Sequence, residues 1–372
     1  MTLLGGVGCS GDGDTSSSSS ASSASGAGGA GGAGGDSACS VLETALKEGL
    51  NEARQDVGAP GAVLAVSTPS CGLWVGASGQ STPDDPMRPD HVVRIGSITK
   101  TYMAAALTNL AVEGKLSLDD ALSTWVPTFP GADQITVRQI LNHSSGIFNY
   151  TASQTFQQAM AADPGKAWTP EELVDLAAKE PPYFAPGEAW MYSNTNYILA
   201  GIILESVTGK GSAQVLRERL LTPLGLTSTF LPGEEAIMGD LSHGYEAGQD
   251  VTAFPDPSAP WTAGAMVATA GDVARWAVAL YGGKAIAPAA LDEMLKDPLP
   301  ADVGLSYGLG TMFLDEPLLA TPAMGHAGGI PGFLSWMLYR SDQQVAVVGI
   351  VNDSSKNALP IAASALEIAL AK

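Results

Sequence analysis

At 372 residues the chain exceeds what one hydrophobic core usually absorbs, so one large unit or two intimately joined ones are expected. Apolar side chains make up 45% and charged ones 15%, the balance of a globular protein. Acidic residues outnumber basic ones 38 to 18, and the resulting charge of -20 repels phosphate backbones and anionic lipid, so no nucleic-acid partner is expected.

The first nine residues, "MTLLGGVGC", end in an apolar stretch that runs into Cys9. They resemble the tail of a bacterial lipoprotein signal, although Gly6, Val7 and Gly8 stand where such a signal usually begins its motif with leucine. Residues 10–37, almost entirely Ser, Gly and Ala, carry nothing that could build a core and read as a disordered linker with an r.m.s. reach of roughly 25 to 30 Å. An exported, periplasmic or cell-envelope protein follows, touching the membrane only through a lipid on Cys9. The G-x-G-x-x-G pattern at Gly26, Gly28 and Gly31 has no strand before it and no helix after it, so it carries no dinucleotide site. Cys39 and Cys71 form an even pair, compatible with one disulfide or with two buried thiols.

From Val41 the spacing of Leu42, Ala45, Leu46 and Leu50 predicts a helix. "GAVLAVS" and "CGLWVGAS" read as two strands around the turn "TPS", and "SYGLGTMFL", "FLSWMLYR" and "QVAVVGIVN" as three more near the far end, before a closing helix in "NALPIAASALEIALAK". The middle is helical in pattern: "TYMAAALTNLAVEG", "TVRQILNH", "TPEELVDLAAKE", "NYILAGIILESVTG", "SAQVLRERL" and "GDVARWAVALYGG". The economical architecture is α/β (α+β). An antiparallel sheet built from both chain ends (38–96 and 300–372) is flanked by helices, with a mostly helical insertion at 97–299.

Within "RIGSITKTYM", Ser97 and Lys100 stand three residues apart where a strand hands over to a helix, which sets them on one helix face. A serine hydroxyl is a weak nucleophile until a neighbour takes its proton, and a desolvated lysine can do so. Capping by the serine, with a solvent-facing lysine, is the bland alternative. "MYSNTNYILAG" puts Tyr192 and Asn194 just before a buried helix, and "MGHAGGIPGF" puts His326 beside small residues at a strand. Each alone reads as a core aromatic, a cap or a turn residue.

In this order S-x-x-K, Y-x-N and H-x-G resemble the serine β-lactamase and D-alanyl-D-alanine carboxypeptidase superfamily, in its branch with tyrosine in the second motif. "LNHSSGI", "APGEAWMYSNTNY", "TPLGLTSTF" and "AGAMVATAGDVARW" are similar to that family too. The resemblance implies Ser97 as nucleophile of an acyl-enzyme, with Lys100 and a Tyr192 phenolate sharing its proton. It implies Asn194 on the substrate's acyl side and His326, in place of the commoner lysine, against the tyrosine hydroxyl. The backbone N–H groups of Ser97 and Gly329 would form the oxyanion hole, and Gly328 would keep the strand open to substrate. No cofactor is implied, and no cluster has metal-ligand spacing.

Two departures bear on the substrate. Ala327 stands where the family usually carries a hydroxyl that helps bind a carboxylate, and residues 297–339 contain no lysine or arginine, with Met312 where related carboxypeptidases place an arginine. Peptides such as peptidoglycan stem peptides remain one expected substrate class. Esters and amides without a free carboxylate fit the departures better, and a penicillin-binding module without turnover is a third reading. "GLSYG" also satisfies the G-x-S-x-G pattern around Ser306, which requires strand, sharp turn and helix. His143 reads as a loop brace, while His91 and His243 have no partner pattern.

Overall fold

A computed structural model describes residues 35–371. The Cys9 segment and the linker through residue 34 lie outside the described residues. Residues 35–37, expected in the linker, belong instead to the helix Gly35–Val57. Leu42, Leu46 and Leu50 bury that helix's apolar stripe, and a Cys39–Cys71 disulfide, with sulfurs 2.07 Å apart, ties its first half to the turn between the first two strands.

The expected antiparallel sheet is present and has nine strands. From one edge the order is Asp85–Pro86, Gly72–Thr82, Gly61–Thr68, Val345–Val351, Phe333–Arg340, Ala323–Ile330, Met312–Leu314, Leu305–Tyr307 and Leu299–Asp302. Both chain ends therefore meet at its centre, where Val63 pairs with Ile350 and Leu334 with Val351. Alternation sends successive side chains to opposite faces. Ala62, Leu64 and Val66 pack with Leu46, Ile361 and Leu366 of the terminal helices Gly35–Val57 and Leu359–Leu370. Val63 and Ala65 join the opposite core beneath Val273, Trp276 and Ala277 of the helix Ala270–Tyr281. With both faces covered, "VAVVGIV" is buried at every position, which is why it reads as a continuous apolar run.

Residues 306–314, read as one strand, are a hairpin: Leu305–Tyr307 pairs antiparallel with Met312–Leu314 across Gly308 to Thr311. The sheet and helical parts also share one core. Val63 and Val348 of the sheet belong to the same apolar cluster as Leu173 and Leu204 of the helical part. At the centre of that cluster the helix Thr99–Val112 is buried almost all round, as its unbroken apolar middle dictates. Tyr102 on it stacks on Trp276 at 4.1 Å between ring centroids, and the Trp276 indole N–H donates to Thr101 Oγ1 at 2.8 Å. The short helical turn Gly96–Ile98 precedes this helix and packs against the strand Ala323–Ile330. The seam between sheet and helices holds the residues singled out above.

Candidate active site

Gly96 shapes the seam. Its φ of +53° lies in the left-handed region, and a Cβ there would come within 2.8 Å of Gly329 N and 3.0 Å of Gly328 C. Gly328 is equally constrained, since a Cβ on it would meet Ile95 O at 2.0 Å and Ser335 Oγ at 2.3 Å. Two backbones thus touch without side chains between them, which sets the Gly329 amide beside Ser97, with Gly329 exposed and Ser97 half-buried. Ser335 fastens the contact by donating its hydroxyl to Ile95 O at 3.0 Å. Gly96→Ala is expected to lower ester turnover by about 10² to 10³, the cost of losing one oxyanion donor, while circular dichroism stays native.

Lys100 is wholly buried, and among the described residues no carboxylate contacts it. Its Nζ lies 3.0 Å from Ser97 Oγ, 2.8 Å from Asn194 Oδ1 and 2.6 Å from Ala263 O. Burial pulls its pKa well below the usual lysine value. As the neutral amine that burial favours, it gives its two N–H groups to the two carbonyl oxygens, which can only accept, and turns its lone pair to the serine. Burial pushes the Tyr192 phenol above the ordinary value of 10, an effect that the Ser97 hydroxyl partly opposes. The Lys100 ammonium position is 4.8 Å from its ring centre. Expectation and structure part here, because low dielectric disfavours the phenolate as well as the ammonium.

Asn194 opens the helix Asn194–Thr208, and its backbone N–H is held by Asn149 Oδ1 at 3.1 Å. His326 is fully buried on the strand Ala323–Ile330, but both of its nitrogens are taken. Nδ1 lies 2.5 Å from Ala327 O, which can only accept, so Nδ1 carries the proton and Nε2 accepts from the Tyr307 hydroxyl at 2.8 Å. The expected bond from His326 to the Tyr192 hydroxyl is therefore replaced by one to Tyr307, and the two rings lie 6.5 Å apart. Burial, and then the nearby Lys100, lower the His326 pKa to about 3, so it offers no positive charge to a substrate carboxylate.

Ser306 stands in a strand pairing with Phe313, with no helix after it, so the alternative nucleophile lacks its elbow. Met312 is buried, and the Ala327 methyl packs into the apolar cluster below the terminal helices. The other cation beside the seam, Arg94, is spent on the backbone carbonyls of Thr252, Phe254 and Pro331. Sequence reasoning missed Tyr307, Asn149 and the Ala263 carbonyl. The tyrosine sat in the "GLSYG" stretch, where attention fell on its serine. Among the described residues no group of three or more His, Cys, Asp or Glu could hold a metal ion.

The Beta-lactamase family profile matches residues 47–371. The chain belongs to the Beta-lactamase family. Among solved structures it is similar to a D-stereospecific amidohydrolase from Streptomyces sp., at 31% identity and TM-score 0.78 over 86% of this chain and 97% of that one. A D-amino acid amidase from Ochrobactrum anthropi SV3 is 29% identical, with TM-score 0.80 over 88% of this chain and 98% of that one. Penicillin-binding protein 4* of Bacillus subtilis (strain 168) is 24% identical over 73% of this chain, which spans only 63% of that relative's length. Family membership and fold agree with the three-motif resemblance. In this Beta-lactamase-family chain the serine, lysine and tyrosine motifs converge on one seam, and the histidine motif stands one side chain behind it.

Proposed function

We propose that this chain is a serine hydrolase of the D-alanyl-D-alanine carboxypeptidase and β-lactamase type, working through an acyl-enzyme on Ser97. The observation that carries this reading is the Lys100 amine, stripped of water and of any carboxylate partner, 3.0 Å from Ser97 Oγ. Lys100 takes the serine proton as Oγ attacks the substrate carbonyl. The oxyanion that forms is held by the N–H groups of Ser97 and Gly329. As the tetrahedral intermediate collapses, the bond to the leaving group breaks, and Tyr192 hands that group a proton and is reprotonated from Lys100. Water then attacks the acyl carbonyl, Lys100 takes its proton, and Ser97 leaves protonated.

Within that class, an uncharged end on the leaving group is favoured over a free carboxylate. No lysine or arginine lies in residues 297–339, Arg94 is occupied by carbonyls and His326 is neutral. Amides and esters of D-amino acids fit this site, in keeping with the names of the two solved relatives, whose lengths are almost fully matched. The Cys39–Cys71 disulfide supports work in an oxidising compartment, outside the cytoplasm. A lipid on Cys9, and peptidoglycan as a neighbour, would suit that setting.

Four probes test the reading: a short p-nitrophenyl ester, a D-Ala-D-Ala peptide, the matching D-alanine amide and a fluorescent penicillin. Turnover of the ester, at least tenfold slower cleavage of the peptide than of the matching D-alanine amide, and weak penicillin labelling are expected. Efficient release of the terminal D-alanine would overturn the substrate preference. Penicillin labelling with no turnover of any probe would instead make the chain a binding module.

A further inference from the structure

His143 is a fully buried histidine with φ of +64°, a conformation that few side-chain-bearing residues adopt. It holds the tyrosine motif from both sides. Its carbonyl accepts the N–H of Met191 at 3.1 Å, and its Nδ1 accepts the N–H of Ser193 at 3.3 Å. The residues before and after Tyr192 thus hang from one histidine. Its ring also lies 4.3 Å from the Tyr192 ring, nearer than Tyr307 at 6.4 Å or His326 at 6.5 Å.

The tautomer follows from the neighbours. Ser145 Oγ donates to Asn196 Oδ1 at 2.7 Å, which turns the Asn196 amide nitrogen toward His143 Nδ1 at 3.1 Å. Nδ1 therefore accepts twice, and the neutral ring carries its proton on Nε2, a buried atom with no hydrogen-bond partner among the described residues. Burial holds the imidazole neutral, so it brings no charge to disturb the lysine. A side chain that only filled space would not require a polar ring left partly unsatisfied in a strained backbone.

We propose that His143 is a positioning residue for the proton donor Tyr192, setting the phenol at the angle from which it serves the leaving group. This rests on the acyl-enzyme reading given above. Its consequence is selective. A leaving group that departs as a stable anion, such as p-nitrophenolate, needs no proton, whereas ethoxide does. Misplacing Tyr192 should therefore slow acylation by an ethyl ester and spare the p-nitrophenyl ester of the same acyl group.

The test measures kcat/KM, which reports acylation, for the p-nitrophenyl and ethyl esters of one N-acyl-D-alanine. In His143→Leu the ethyl ester is expected to lose about 10²-fold, the scale of a small displacement of a catalytic group, and the p-nitrophenyl ester under about fivefold. His143→Asn keeps an acceptor near the Nδ1 position and tolerates the left-handed backbone, so it should recover most of the ethyl-ester rate. An equal fall on both esters in His143→Leu would reduce the histidine to fold support. So would an Asn variant with wild-type Tm that does no better than leucine. Wild-type protein inactive toward both esters would instead sink the hydrolase reading, and this inference with it.

Discussion

Ser97→Ala is expected to lower kcat on a p-nitrophenyl ester by a factor on the order of 10⁶, the size seen when the nucleophile of a serine hydrolase is removed. The alanine deletes the atom that bonds to the acyl carbon, and nothing nearby can replace it. Lys100 could in principle attack, but its two N–H groups are held by Asn194 Oδ1 and Ala263 O, and its lone pair faces the missing hydroxyl. Ser306, the other serine in a hydrolase-like pattern, is paired into a strand. Ser306→Ala should therefore keep most activity, and steady-state assays of both variants separate the two sites. The fold should be unaffected by Ser97→Ala, since Ser97 is half-buried and contributes one hydrogen bond to the lysine.

Lys100→Met is expected to cost about 10² to 10⁴ in kcat/KM, the range of a general base. Methionine matches the lysine stem in volume, so packing persists. Two buried carbonyl oxygens, Asn194 Oδ1 and Ala263 O, lose donors at about 1–3 kcal/mol each, and this is partly offset because an amine no longer has to be desolvated. A moderate fall in stability, smaller than those two losses together, should therefore accompany the collapse of activity, and a thermal melt run beside the assay checks this. The pH profile adds a sign. Because burial lowers the Lys100 pKa, the active amine accumulates as pH rises through that lowered value, so wild-type kcat/KM climbs with pH and then levels. Tyr192, raised above 10, keeps its proton across the neutral range, so no alkaline fall is expected below about pH 10. Lys100→Met should lose the acid limb. A profile falling between pH 7 and 9 would instead show that a group needed in its protonated form titrates there, against a neutral lysine base paired with a phenol donor.

Much of this was legible before any coordinates. Strands at both chain ends, a helical middle and a serine–lysine pair at the handover followed from periodicity and punctuation alone. Their union into one site did not, because Ser97 and Lys100 meet Tyr192 and Asn194 only through long-range packing, and the three-motif order supplied what local pattern could not. Two features were misread for physical reasons. His326 was assigned to Tyr192 because sequence spacing says nothing of a third side chain, and Tyr307, from the neighbouring hairpin, occupies the histidine instead. The Tyr192 phenolate, implied by the resemblance, needs a cationic lysine beside it. Burial acts on the lysine too, and sequence gives no measure of burial. The 306–314 hairpin was hidden because Gly308 and Gly310 break a run whose other residues all suit a strand.

Everything in the mechanism passes through one covalent bond. The most direct measurement is peptide mapping by mass spectrometry after a brief quench with a p-nitrophenyl ester. The expected result is an acyl mass added to the peptide carrying Ser97, absent from Ser97→Ala. An acyl group on the Ser306 peptide, or ester turnover by Ser97→Ala at the wild-type rate, would contradict it.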